Sequence, residues 1–86
     1  MKEITYFYLA GCPYCREADD YLKQLCAENP AYADIKINKI EETEQAEYAD
    51  SFDYYFVPCF YIDGEKVFEG AVKKEDVKKA LDIALG

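Results

Sequence analysis

Cys12-Pro13-Tyr14-Cys15 stands where an apolar stretch gives way to a helical pattern. No other feature constrains the chain as much, because a Cys-x-x-Cys at such a junction needs a strand leading into it and a helix opening on it. Residues Glu3 to Leu9 (Glu-Ile-Thr-Tyr-Phe-Tyr-Leu) are rich in β-branched and aromatic side chains and predict a strand. From Pro13 to Asn29, apolar residues recur at Ala18, Leu22, Leu25 and Cys26 on a helical period. Cys12 then lies near the helix N-cap, and Pro13 takes the first helical position, where its missing N–H costs nothing. Unsatisfied backbone N–H groups and the positive end of the helix dipole favour a thiolate on the outer cysteine, so Cys12 is the expected nucleophile. Cys15, one turn on and more buried, is the expected resolving thiol that attacks the mixed disulfide formed by Cys12.

Eighty-six residues suffice for one small independent core, and residues 1–86 are expected to form a single domain. With 51% hydrophobic residues, nine Tyr and five Phe, the composition is that of a globular chain. Two of the four cysteines make up the motif and the other two lie in apolar patterns, which fits a reducing compartment better than a secreted disulfide framework. Met1-Lys2-Glu3-Ile4 passes straight into the strand without an apolar signal core, and no apolar run approaches membrane-spanning length. The expected compartment is the cytoplasm, with no membrane partner. A formal charge of −8 also argues against nucleic acid as a partner, since no phosphate neutralisation is on offer.

Further along, Asn29-Pro30 marks a break, and Asp34 to Ile40 alternates apolar with polar residues as a second strand. A second helix is read from Thr43 to about Tyr54-Tyr55, on Ala46, Ala49 and Phe52. Phe56 to Ile62, the turn Asp63-Gly64 and Lys66 to Glu69 read as a hairpin closed by Gly70. Lys73 to Leu85 predicts an amphipathic helix with Val77, Leu81 and Ile83-Ala84 on one face. The order is β-α-β-α-β-β-α, an α/β class in which the early strands pair in parallel and the hairpin adds antiparallel strands. No repeat or linker interrupts it.

Cys12-Pro13-Tyr14-Cys15 after a first strand, Val57-Pro58 before a third strand and Gly70 ahead of a final helix together resemble a glutaredoxin, within the thioredoxin-like superfamily. The resemblance spans nearly the whole chain. It implies a central mixed four-stranded sheet flanked by three helices, with a thiol-disulfide oxidoreductase activity serving cell redox homeostasis. It further implies that Cys12 attacks, Cys15 resolves, and Pro58 follows a cis peptide bond facing the sulfurs. The Val57 backbone would then bind an extended peptide or glutathione as an added strand. Tyr14, Val57, Pro58, Gly70 and Ala71 are the substrate-binding candidates. Two positions depart from the glutaredoxin pattern: Leu9 stands where a basic residue meets a glutathione carboxylate, and Gly70-Ala71-Val72-Lys73-Lys74 replaces a Gly-Gly with acidic residues after it. That stretch is closer to thioredoxin. The expected partners are disulfide-containing proteins or small-thiol disulfides, with a reductase or glutathione as electron donor. No tightly bound cofactor is expected, glutathione or another thiol serving as cosubstrate, and the chain is expected to be a monomer.

Other residues carry plainer alternatives. Arg16 is a candidate to stabilise the Cys12 thiolate or is simply solvated beside Glu17, Asp19 and Asp20. Cys26 and Cys59 read as apolar core residues, although only they could complete a four-ligand metal site with the motif in a chain without histidine. Tyr6, Tyr8, Tyr54 and Tyr55 read as packing residues, and Glu41, Glu42, Glu44 and Glu47 as a helix N-terminus with its solvated face. Two readings stand beside the glutaredoxin one. The first is a metal or iron-sulfur cluster module on the same fold; the second is a thioredoxin-like protein disulfide reductase independent of glutathione.

Overall fold

The computed structural model describes residues 1–86. Eight elements succeed one another: β1 (Ile4–Tyr8), α1 (Pro13–Glu28), α2 (Pro30–Ala33), β2 (Ile37–Glu41), α3 (Ala46–Asp50), β3 (Cys59–Ile62), β4 (Glu65–Glu69) and α4 (Lys74–Leu85). The strands form one sheet in the order β2-β1-β3-β4, with β1 parallel to β2 and antiparallel to β3, and β4 antiparallel to β3. This is the mixed four-stranded α/β architecture that the resemblance implies. The helices number four instead of three. At the Asn29-Pro30 break the Asn29 side chain accepts a hydrogen bond from the Ala31 N–H and caps the short α2, whose Pro30 occupies the first position.

The alternation of inward side chains explains the two-sided core. On β1 and β3, Ile4, Tyr6, Phe60 and Ile62 face α1 and α4, against Ala18, Leu22, Leu25, Val77, Ala80, Leu81 and Ala84. The intervening Phe7, Cys59 and Tyr61 face the other way, against Ala49 of α3 and the half-buried Phe52 and Tyr54. All four residues of β3 are buried, as a central strand covered on both faces requires. Ile83 differs from expectation: it is 37% exposed, and Ala80 takes its place on the buried face of α4 beside Val77, Leu81 and Ala84. The i, i+3, i+4, i+7 spacing of those four is the better helical match.

The element bounds differ most where loops carry apolar residues. The second helix shrinks from the expected Thr43–Tyr55 to Ala46–Asp50, and β3 begins at Cys59 instead of Phe56. Phe52 and Tyr54 are half-buried by aromatic contact with Phe7, at centroid distances of 4.8 and 4.9 Å, and not by a helical turn. Similarly, β2 starts at Ile37, while Ile35 is buried ahead of the strand. The Asp63-Gly64 turn has φ of 51° and 80°, both left-handed as a two-residue hairpin turn of this kind demands.

Candidate active site

Strand register brings the motif segments to one end of the sheet. Phe7 pairs with Cys59 and Cys59 with Glu69, so the carboxyl end of β1, the amino end of β3 and the carboxyl end of β4 share an edge. From these ends lead Leu9 to Cys15, Val57-Pro58 and Gly70-Ala71. Gly11, at φ 85°, turns the chain off β1, and the Cys12 N–H donates to the Leu9 carbonyl at 3.1 Å. Cys12 is the N-cap of α1 in extended conformation, with no side-chain capping bond, and Pro13 follows at the first position. The helix is therefore left with open first-turn amides at the end that carries Cys12. The Arg16 N–H is the first to close a bond, to the Cys12 carbonyl at 3.1 Å.

The two thiols sit in unlike surroundings. Cys12 is half-buried, whereas Cys15 is only 3% exposed. Burial pushes the Cys15 thiol well up; the neighbouring Cys12 and Asp19 push it the same way, against a lowering hydrogen bond from the Leu9 backbone. Beneath that turn lies Tyr6, whose buried hydroxyl shares its one proton between the Cys15 carbonyl at 3.1 Å and Asp19 Oδ1 at 3.0 Å. Burial above all, then Asp19, raises the Tyr6 pKa and keeps the phenol a donor. Asp19 in turn pairs with Lys39 at 3.3 Å, whose ammonium lies 4.7 Å from the Tyr8 ring centroid. Sequence reasoning read Tyr6 as packing only. Its hydroxyl partner belongs to another element and leaves no local signal.

The other candidates are distributed around this head. Tyr14 is 50% exposed. Arg16 is exposed and is in no ion pair, so none of Glu17, Asp19 or Asp20 holds it. The Val57–Pro58 peptide is cis, Pro58 is fully buried, and its carbonyl accepts from the Gly70 N–H at 2.9 Å. The Val57 N–H and carbonyl are free of hydrogen bonds to the rest of the chain. Gly70 has φ 85°, a conformation that favours glycine, and Ala71 is exposed.

Cys26 and Cys59 stay apart from the motif. Cys59 is fully buried on the α3 side of the sheet, its thiol pushed up to about 12 by that burial, and Cys26 lies half-buried on the second half of α1. They do not join Cys12 and Cys15 into a four-cysteine set, and no three Cys, Asp or Glu side chains are grouped to hold a metal ion. Glu41 is a correction: it is buried, 8% exposed, and not part of a solvated acidic face. Its carboxylate accepts from the Thr43 N–H at 2.6 Å and from the Thr43 hydroxyl at 2.7 Å, which closes the turn after β2. Glu69 does a similar service at the end of β4, accepting from the N–H groups of Tyr55 and Phe56. Neither role has a signature in the sequence, where both look like surface acids. No helix is long and apolar enough to cross a membrane.

Comparison with known proteins places this architecture. A family model described as a thioredoxin domain matches residues 3–82. Among solved structures, oxidised thioredoxin from Plasmodium falciparum superposes with a TM-score of 0.73 at 18% identity, over 99% of this chain and 82% of that one. Oxidised mitochondrial thioredoxin 3 from Saccharomyces cerevisiae gives 0.74 at 23% identity, over 95% and 77%. A thioredoxin-like protein from Clostridium perfringens gives 0.69 at 22%, over 98% and 71%. No curated protein matches the sequence. These matches bear out the thioredoxin-like fold and do not single out a glutaredoxin within it. A cysteine pair at the head of α1 in this fold points to thiol-disulfide exchange.

Proposed function

The chain belongs to the thioredoxin-domain family, and from that premise we propose that it reduces disulfides of polypeptides, with Cys12 as the attacking and Cys15 as the resolving thiol. The observation that carries this reading is the asymmetry of the pair: one thiol is reachable at the open helix N-terminus, the other is buried with a raised pKa. A resolving thiol must stay protonated until the mixed disulfide forms, and burial of Cys15 does that.

The Cys12 thiolate attacks one sulfur of a substrate R–S–S–R′. The Cys12–S–S–R bond forms as the S–S bond breaks, and R′–S⁻ leaves with the electron pair and takes a proton. Cys15 then gives up its proton and attacks the Cys12 sulfur; the Cys12–Cys15 disulfide forms as the Cys12–S–S–R bond breaks, and R–S⁻ leaves with the electron pair and takes up a proton in place of the one Cys15 released. Two electrons have passed to the substrate, and an external dithiol or reductase returns them by the reverse exchange. The open first-turn amides of α1 and the positive end of its dipole lie at the helix end that carries Cys12, where they favour the thiolate that makes the first attack. The unpaired Val57 backbone supports docking of an extended segment as an added strand.

Polypeptide substrates are favoured over glutathione adducts by two positions. Leu9 offers no cation to a glutathione carboxylate, and Gly70 is followed by Ala71, Val72, Lys73 and Lys74 instead of a glycine and acidic residues. The test compares reduction of an insulin-type protein disulfide with that of a glutathione mixed disulfide. Wild type, Cys12→Ser and Cys15→Ser are run under one reducing supply. The expected result is protein disulfide reduction that vanishes in Cys12→Ser, with Cys15→Ser trapped as a mixed disulfide visible by intact mass. Activity surviving in Cys12→Ser would sink the assignment, and preference for the glutathione adduct would return the chain to a glutaredoxin.

A further inference from the structure

The segment before Pro58 exposes two large apolar side chains: Tyr55 is 81% and Phe56 is 65% exposed. Loops usually tuck such rings against the nearest core, and here Phe52 and Tyr54 do so. Tyr55 and Phe56 are held out by their backbone. Glu69 Oε2 accepts from the Tyr55 N–H at 2.7 Å and from the Phe56 N–H at 3.1 Å, while Glu69 Oε1 accepts from Lys66 Nζ at 2.7 Å. Charge-assisted bonds of this kind are strong and directional. One carboxylate therefore fixes two consecutive peptide groups, and Lys66 fixes the carboxylate.

The clip lies next to the edge on which substrate docking depends. Val57, with both backbone groups free, follows Phe56 directly, and Gly70, the residue after Glu69, bonds the Pro58 carbonyl at 2.9 Å. A Cβ on Gly70 would come 3.5 Å from the Phe56 Cβ, so the loop passes within one methyl group of the strand end. Exposed apolar rings beside free backbone groups are what an extended polypeptide needs: main-chain pairing for affinity and an apolar contact for choice.

We propose that Glu69 is a positioning residue that selects polypeptide disulfides over small ones. Its carboxylate presets Tyr55 to Val57 as a docking edge, and the two rings receive an apolar side chain flanking the substrate cysteine. This rests on the oxidoreductase function proposed for Cys12 and Cys15 and adds a specificity element to the same site. A small disulfide reaches Cys12 without spanning that loop, so its exchange is independent of the clip.

The experiment measures kcat and KM for wild type, Glu69→Ala and Glu69→Gln on two substrates: a disulfide peptide with leucine beside its cysteine, and hydroxyethyl disulfide. With the preset edge lost, Glu69→Ala is expected to raise the peptide KM about tenfold at unchanged kcat, with small-disulfide exchange unmoved. Glu69→Gln keeps an oxygen that accepts from both N–H groups and is expected to hold the peptide KM within about threefold of wild type. An unmoved peptide KM in Glu69→Ala, or an equal loss on both substrates, would overturn the role of Glu69. A wild type inactive on both substrates would instead bring down the oxidoreductase reading and this one with it.

Discussion

The two faces of the sheet are built from different materials. Toward α1 and α4, long amphipathic helices lay aliphatic and small side chains on Ile4, Tyr6, Phe60 and Ile62. Toward α3, a five-residue helix covers little, and rings do the packing: Phe7 meets Phe52, Tyr54 and Tyr61 at 4.8, 4.9 and 6.1 Å between centroids. Beyond Phe52 the loop is ordered by polar ties. Tyr61 donates to the Asp53 carbonyl at 2.6 Å, Tyr54 to Glu42 at 3.0 Å, and Tyr55 and Phe56 to Glu69. The first face delivers Cys12 and Cys15 on a helix head; the second delivers the loop that leads to Pro58. The proposed chemistry thus sits on the helical side and the proposed docking on the side whose order rests on individual bonds.

Truncation on each face separates the two. Leu81 is fully buried on the helical face, and Leu81→Ala is expected to lower unfolding free energy by about 2–5 kcal/mol in urea titration. The KM of the folded protein for a disulfide peptide should not change; a shifted KM would break the division of labour. Phe52 lies half-buried on the other face against Phe7, Tyr61 and Tyr48. Three aromatic contacts of about 0.5–1.5 kcal/mol each put the cost of Phe52→Ala at about 1.5–4.5 kcal/mol. Here the peptide KM should rise as well, because the loop begins at that ring. A smaller effect is expected from Tyr61→Phe, which deletes only the bond to the Asp53 carbonyl and should cost about 0.5–1.5 kcal/mol. If Tyr61→Phe moved KM as far as Phe52→Ala, the bond and not the ring would be anchoring the loop.

Legibility in the sequence runs along the same divide. Helices α1 and α4 declare themselves by period, and Pro13, the Asp63-Gly64 turn and the Cys12/Cys15 pair carry local chemistry that needs no partner to be read. The α3 side fails because Phe52, Tyr54 and Phe56 look like parts of a helix or strand when only their spacing is known. Their positions are set by rings and carboxylates elsewhere in the chain. The polar roles of Tyr6, Glu41 and Glu69 are invisible for the same reason: each acts through a bond to a residue remote in sequence or across a turn.

Acid titration sharpens the contrast at its finest point. The Lys66 ammonium first, then the Tyr55 and Phe56 N–H groups, hold the Glu69 carboxyl down at about 2, from an ordinary value of 4.5. Its folded pKa is depressed, so between these values the unfolded chain binds more protons than the folded one. The order that the clip confers is fully present above pH 4.5 and is lost as pH falls through about 2. Glu41, lowered chiefly by the Thr43 N–H, works in the same direction on the opposite edge strand. The amide proton shifts of Tyr55 and Phe56 should therefore titrate with a midpoint near 2 and stay flat there in Glu69→Gln. A midpoint at 4.5 would mean a carboxylate that is solvated and not bonded, and the loop before Pro58 would then owe its form to the aromatic face alone.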